Sequence, residues 1–140
     1  MKNIFVLSAL GFSCGLPYML VFSTLSAWLR DAGAALTVIG FISWAALTYS
    51  LKFLWSPFVD RIKMPLNQVV GQRRSWILMM QLLILILIMM MSQFDPISSL
   101  NFIVITAVLI AFFGSLQDIA VDAYRIELVS LDEQIGRAHV

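Results

Sequence analysis

One cysteine, Cys14, and one histidine, His139, are all that the chain holds of two residue types on which metal and nucleophile chemistry lean most. That scarcity excludes an internal disulfide, a thiolate metal cluster and a Cys/His nucleophile pair, so no metal site, no cofactor and no enzyme chemistry is expected. Charge is scarce too: Asp, Glu, Lys and Arg make up 12% of the 140 residues, and the net charge is +1. The nine Lys and Arg are scattered or gathered at the ends of apolar runs, which leaves no basic face for nucleic acid. What fills the chain instead is apolar, 61% of it, with a mean hydropathy of +0.93. A particle this small has too little polar surface to cover that fraction in water, so lipid is the solvent for most of it.

No charge lies between Lys2 and Arg30, between Asp31 and Lys52, between Arg74 and Asp95, or between Asp95 and Asp118. Each gap is about 20 residues or longer, the length a helix needs to cross the hydrocarbon core. We therefore expect an all-α, polytopic membrane protein with four transmembrane helices near residues 4–29, 37–57, 75–93 and 97–120. The first run is too long for a cleaved signal peptide, and Arg30-Asp31 stands where a small-residue cleavage site would follow. Gly11, Gly15 and Pro17 interrupt it, which fits either a kinked, closely packed helix or a helix lining a substrate path.

Orientation follows from the short loops. Arg61, Lys63, Arg73 and Arg74 sit between the second and third runs, against one Arg near Asp31 and no cation around Asp95-Pro96. The basic loop is therefore expected in the cytoplasm with both chain ends, in agreement with Lys2 and Arg125. Thr37 reads as a helix cap after the Asp31-Ala32-Gly33 break, and Asp95-Pro96 as the first turn of the fourth helix.

Two constellations stand above this background. In the basic loop, Asp60 and Arg61 close one helix and Gly71, Arg73 and Arg74 open the next. Membrane anchoring needs only cations, so an Asp set among them suggests a charge pair that locks one conformation and releases in another. The second is Gln117, Asp118, Asp122 and Arg125, whose carboxylates and guanidinium share one helical face. Two acids beside a cation can trade a proton, whereas a solvated helix end needs no function; counting from Ile97 puts Asp118 at the cytoplasmic edge of the hydrocarbon. Lys52, ahead of a helix-ending Pro57, reads as a side chain that snorkels, with a place on a substrate path beside Gly15, Pro17 and Gln117 as the alternative. Met79, Met80, Met89, Met90 and Met91 read as packing or lipid contacts, and Trp28, Trp44, Trp55 and Trp76 as an interfacial belt.

The segments 11–17 (GFSCGLP), 24–33 (TLSAWLRDAG), 39–40 (IG), 52–57 (KFLWSP), 60–61 (DR), 71–76 (GQRRSW) and 117–125 (QDIAVDAYR) run in order over almost the whole chain. Together they resemble the N-terminal third of a major facilitator superfamily transporter, of the AmpG-type muropeptide permeases and relatives that include acetyl-CoA transporters. The Asp60-Arg61 and Gly71 to Arg74 pair resembles that superfamily's signature between helices two and three, with a longer insert at 62–70. The resemblance implies part of an N-terminal six-helix bundle in a carrier of twelve or more helices in the bacterial inner membrane. It further implies import of anhydro-muropeptides by proton symport for cell-wall recycling, with the bilayer, a small solute, protons and the rest of the carrier as partners. Another solute, a drug or a coenzyme A ester, is the alternative within the class. A complete four-helix assembly or export protein is the alternative outside it.

The last six residues, 135–140, spell one reading frame of a widely used sequencing adapter, ATC GGA AGA GCA CAC GTC. Residues 1–134 are therefore expected to be the N-terminal piece of a longer transporter, and Arg137 and His139 to carry no function.

Overall fold

The computed structural model describes the backbone of residues 2–63 and 67–138, and side chains within 4–128 except those of Phe41 and residues 64–67. Every regular element among the described residues is helical. Three helical stretches are long and apolar enough to cross a membrane, Ile4–Asp31, Gln72–Met91 and Leu100–Leu128, and a bent pair, Leu36–Ser50 with Lys52–Arg61, makes a fourth. The chain is an all-α, multi-pass membrane segment.

The first span joins α1 (Lys2–Met19) to α2 (Leu25–Asp31) through a π-helical turn at Leu20–Thr24. Pro17 cannot donate to the carbonyl one turn back, and the widened turn follows directly after it. The second span is three pieces, α3 (Leu36–Ser43), α4 (Ala45–Ser50) and α5 (Lys52–Arg61), broken at Trp44 and at Leu51. Leu51 has φ −92 and ψ 10, outside the helical well, and the axis turns by 54° there. Thr37 therefore lies inside α3 rather than capping it, and Pro57 lies inside α5 rather than ending it.

A short α6 (Asn67–Val70) meets α7 (Gln72–Met91) at Gly71, whose φ of 94 only glycine adopts freely; this explains a glycine directly ahead of Gln72, Arg73 and Arg74. Met64, Pro65 and Leu66 of the insert lie outside the described residues, as do His139 and Val140. The fourth span is the first part of α8 (Leu100–Ala138), a helix that runs well past the expected end at 120. Nor does it start at Asp95-Pro96: the Asp95 carboxylate accepts the backbone N–H of Ile97 at 3.1 Å and of Ser98 at 2.8 Å, which closes a separate turn before Leu100. The Ser98 backbone N–H, then its hydroxyl, then the Ile97 N–H hold this exposed carboxyl below the usual carboxylate range.

α8 is the axle of the fold. Toward the Asp31 and Asp95 end, its Ile103, Ala107, Ile110 and Ala111 pack with Val21, Leu25, Leu29, Ile42, Ala45 and Ile84. Toward the other end, Leu116, Ile119, Ala120 and Val121 pack with Val59, Trp76, Ile77 and Met80. Between the two cores lies a waist at Gly114 of α8. There Gly114 receives the hydroxyl end of Tyr49, with Pro17 on its other side, so one missing side chain lets three spans cross. Tyr18 and Phe22 complete an aromatic group on Tyr49, with ring centroids 5.4 Å and 6.2 Å from it. The tryptophans do not all form a belt: Trp76 is buried in the second core and Trp55 packs edge-on against Phe112. Of the methionines, Met80 is core while Met89 and Met90 are exposed, as lipid-facing side chains are.

A Cβ at Gly114 would meet the Tyr49 hydroxyl below contact distance, while the next ring atom stands at 3.4 Å. Gly114→Ala is therefore expected to destabilise the protein by about 1–3 kcal/mol, the range for an overpacked core, and Tyr49→Phe in the same chain to restore most of it. Thermal unfolding of the two variants in detergent checks this; equal melting of both contradicts the crossing.

Candidate functional site

The bend at Leu51 swings Lys52, the first residue of α5, onto α8. Its ammonium donates to Asp118 Oδ2 at 2.7 Å and to Asp122 Oδ2 at 3.3 Å. The two acids are one helical turn apart on one face of α8, which is the spacing a single ammonium can bridge. Lys52 is the cation of the acidic pair. Arg125, the expected partner of Asp122, is exposed and pairs with neither acid among the described residues.

Asp118 is four residues beyond Gly114, about 6 Å along the axis at 1.5 Å per residue, and Asp122 about 12 Å. An unpaired Asp or Lys on a membrane-spanning helix is costly to insert, so each charge gains from the other. Cys14 on α1 faces the same acid, and the buried Gln117 stands beside it with neither amide atom bonded to a described residue.

A second charge group closes the end of the bundle. Arg73 forms ion pairs with Asp60 of α5 and, at 3.3 Å, with Glu127 of α8. The expected Asp60 lock therefore exists with Arg73, while Arg61 is exposed and joins none of these pairs. Arg74 instead donates to the Tyr124 hydroxyl at 3.0 Å. Three residues of this group escaped sequence reasoning. Glu127 and Tyr124 lie beyond the expected span end, and Gln72 shows its role only in place: its amide donates to the Asp60 carbonyl at 3.0 Å at the C-terminus of α5, where carbonyls lack helical donors. Trp76 adds an indole N–H to the Ile62 carbonyl at 3.3 Å. A cleft of about 280 Å³ between α5 and α8, lined by Lys52, Ser56, Asp60, Arg73 and Asp122 among others, links the two groups.

Of the residues expected on a path, Lys52 bonds Asp118, Gln117 is buried next to it in the chain, Pro17 packs at Gly114 and Gly15 is exposed. No cluster of three His, Cys, Asp or Glu able to hold a metal is found among the described residues.

Comparison with known proteins shows a match over residues 3–138 to the family described as acetyl-coenzyme A transporter 1. The chain belongs to that transporter family. It is 37% identical over 132 residues to "Putative transporter AmpG 4" of Rickettsia felis, covering 94% of this chain and 32% of that protein. To "Putative transporter AmpG 3" of Rickettsia prowazekii it is 40% identical over 128 residues, covering 91% and 30%. To "Anhydromuropeptide permease" of Escherichia coli K12 it is 39% identical over 129 residues, covering 92% and 26%. The chain thus spans about a third or less of the length of the curated relatives it matches. These relatives are named as transporters and a permease rather than as enzymes.

Within a transporter fold the ion group makes a specific demand. Lys52→Met leaves two acids without their cation and is expected to lower the protein's abundance in the membrane by roughly the insertion cost of one unpaired Asp, about 2.5–3.5 kcal/mol. Adding Asp118→Asn should return much of that abundance. Immunoblots of membrane fractions read both, and a double variant no more abundant than Lys52→Met contradicts the pairing.

Proposed function

We propose that the chain forms the first four spans of a proton-coupled secondary transporter of the major facilitator type, and that the carrier imports anhydromuropeptides across the bacterial inner membrane for cell-wall recycling. The observation that carries this reading is the Lys52–Asp118–Asp122 ion group, which joins two apolar spans. Intramembrane ionisable groups are costly, and ion and proton pathways are where such groups recur. Protonation of Asp118 removes its charge and leaves Lys52 held by Asp122 alone, which weakens the hold on α5 just past its break at Leu51. The Asp60–Arg73–Glu127 group holds the other end of α5, so the helix is latched at both ends and bent at its root.

The muropeptide reading rests on the name of the Escherichia coli relative, a coenzyme A ester on the description of the family. Alternating access needs two bundles facing a midplane site, and the length of the relatives supports further spans beyond these four rather than a complete four-helix assembly or export protein. We place the true reading frame as continuing past Gln134, with the 135–140 segment foreign to it; sequencing across the locus should reveal more apolar spans. Orientation is the one the cations favour, with residues 61–74 in the cytoplasm.

In the full-length carrier, Asp118→Asn and Asp122→Asn should each reduce proton-driven uptake of labelled anhydromuropeptide more than they reduce membrane abundance. Uptake at the unmutated rate across pH in both variants sinks the coupling role, and uptake of acetyl-CoA in place of muropeptide replaces the solute. For orientation, a single cysteine at Ala34 should react with an impermeant thiol reagent on intact cells and one at Gln68 should not. The reverse pattern inverts the topology.

A further inference from the structure

The Tyr49 hydroxyl and both amide atoms of Gln117 are buried in the span bundle with no hydrogen-bond partner among the described residues. Gln117 is 1% exposed. Left unbonded, each such group costs about 1–3 kcal/mol, and more than one of them in a native core calls for an explanation by place rather than by chance. Their place is specific. The Tyr49 hydroxyl abuts Gly114, and Gln117 and Asp118 follow three and four residues later, one turn along the same helix. Asp118 is close enough to act electrostatically on both Tyr49 and Cys14, and Cys14 lies one turn before Pro17, the other wall of the Gly114 notch. The unbonded atoms thus mark a route from the middle of the bundle to the acid that Lys52 holds.

We propose that internal water occupies this waist and forms a hydrogen-bonded track, from Tyr49 past Gln117 to Asp118, along which the coupling proton reaches the Asp118 carboxylate. This rests on the coupling role given to Asp118 above. Gln117 is the positioning residue: its carbonyl accepts and its amide donates, the pair a bridging water needs, and it carries no proton itself. The Tyr49 hydroxyl takes a proton at oxygen from one neighbour while releasing its own to the next, so it is unchanged after each passage. The proton ends on Asp118, which becomes neutral, while Lys52 and Asp122 keep their charges. The ionisable groups facing the track are Cys14 and Tyr18 from α1, Tyr49 from α4, Lys52 from α5, and Asp118 and Asp122 from α8, with Arg125 acting on Cys14 from farther along α8.

The test uses the full-length carrier and radiolytic hydroxyl-radical labelling, which modifies side chains beside trapped water, read by mass spectrometry. Tyr49 should be modified in the unmutated protein despite its buried hydroxyl, and about tenfold less in Gln117→Leu, the factor for about 1.4 kcal/mol of lost water binding. Tyr124, two turns farther along α8 and bonded to Arg74, serves as the internal control and should not change. In parallel, Gln117→Leu and Tyr49→Phe should lose proton-driven uptake while keeping solute counterflow, which a merely misfolded carrier loses too. Tyr49 unmodified in the unmutated protein overturns the track, as does full proton-driven uptake in both variants. Because labelling reports water whether or not Asp118 couples, an absent label beside an essential Asp118 discards the track alone. A present label beside a dispensable Asp118 discards the coupling role, and with it the proton route.

Discussion

A charge inside a membrane has to be met, and here one ammonium meets two carboxylates. Lys52 can reach Asp118 and Asp122 because span two is broken at Leu51, and the acids present one face because they are a turn apart on an unbroken α8. The break keeps its own backbone paired, the Leu51 N–H donating to the Leu47 carbonyl at 2.8 Å and the Leu54 N–H to the Leu51 carbonyl at 2.9 Å. The bend and the ion group are two parts of one arrangement because the bend carries Lys52 onto α8. Around it the helices pack by ordinary means, with two apolar cores on the same axle and a glycine notch between them.

The arrangement also divides labour along α5. Its first residue is held by carboxylates of α8, and its last turn is held at the boundary by Arg73, Gln72 and Trp76 of α7. Both contacts are partly exposed, with Lys52 at 39% and Arg73 at 25%, so neither pair is worth much by itself. Together they hold α5 at both ends against α7 and α8.

Much of this was legible in the sequence, for reasons that can be named. Charge-free gaps of about 20 residues mark spans because insertion cost is a local sum over each segment, so the four spans and the all-α class follow from composition alone. Asp118 and Asp122 were visible as a pair because helical periodicity places residues four apart together. The partner of that pair was not visible. Lys52 is 66 residues from Asp118, and a lysine near a span end reads equally well as a snorkelling side chain. The start of α8 was misjudged for a related reason, since Asp95-Pro96 looks like a helix start and forms a separate turn instead. The breaks at Trp44 and Leu51 have no glycine or proline at the break itself to announce them, and Glu127 and Tyr124 fell beyond the expected end of the last helix.

The claim on which all of this turns is that Lys52 of span two pairs with Asp118 and Asp122 of span four. A double-mutant cycle on the purified full-length carrier, with Lys52→Met, Asp118→Asn and the two together read by thermal unfolding in detergent, measures that pairing most directly. The account predicts a coupling of about 0.5–3 kcal/mol between the two positions, the double variant losing less than the sum of the single losses. Losses that simply add would contradict it.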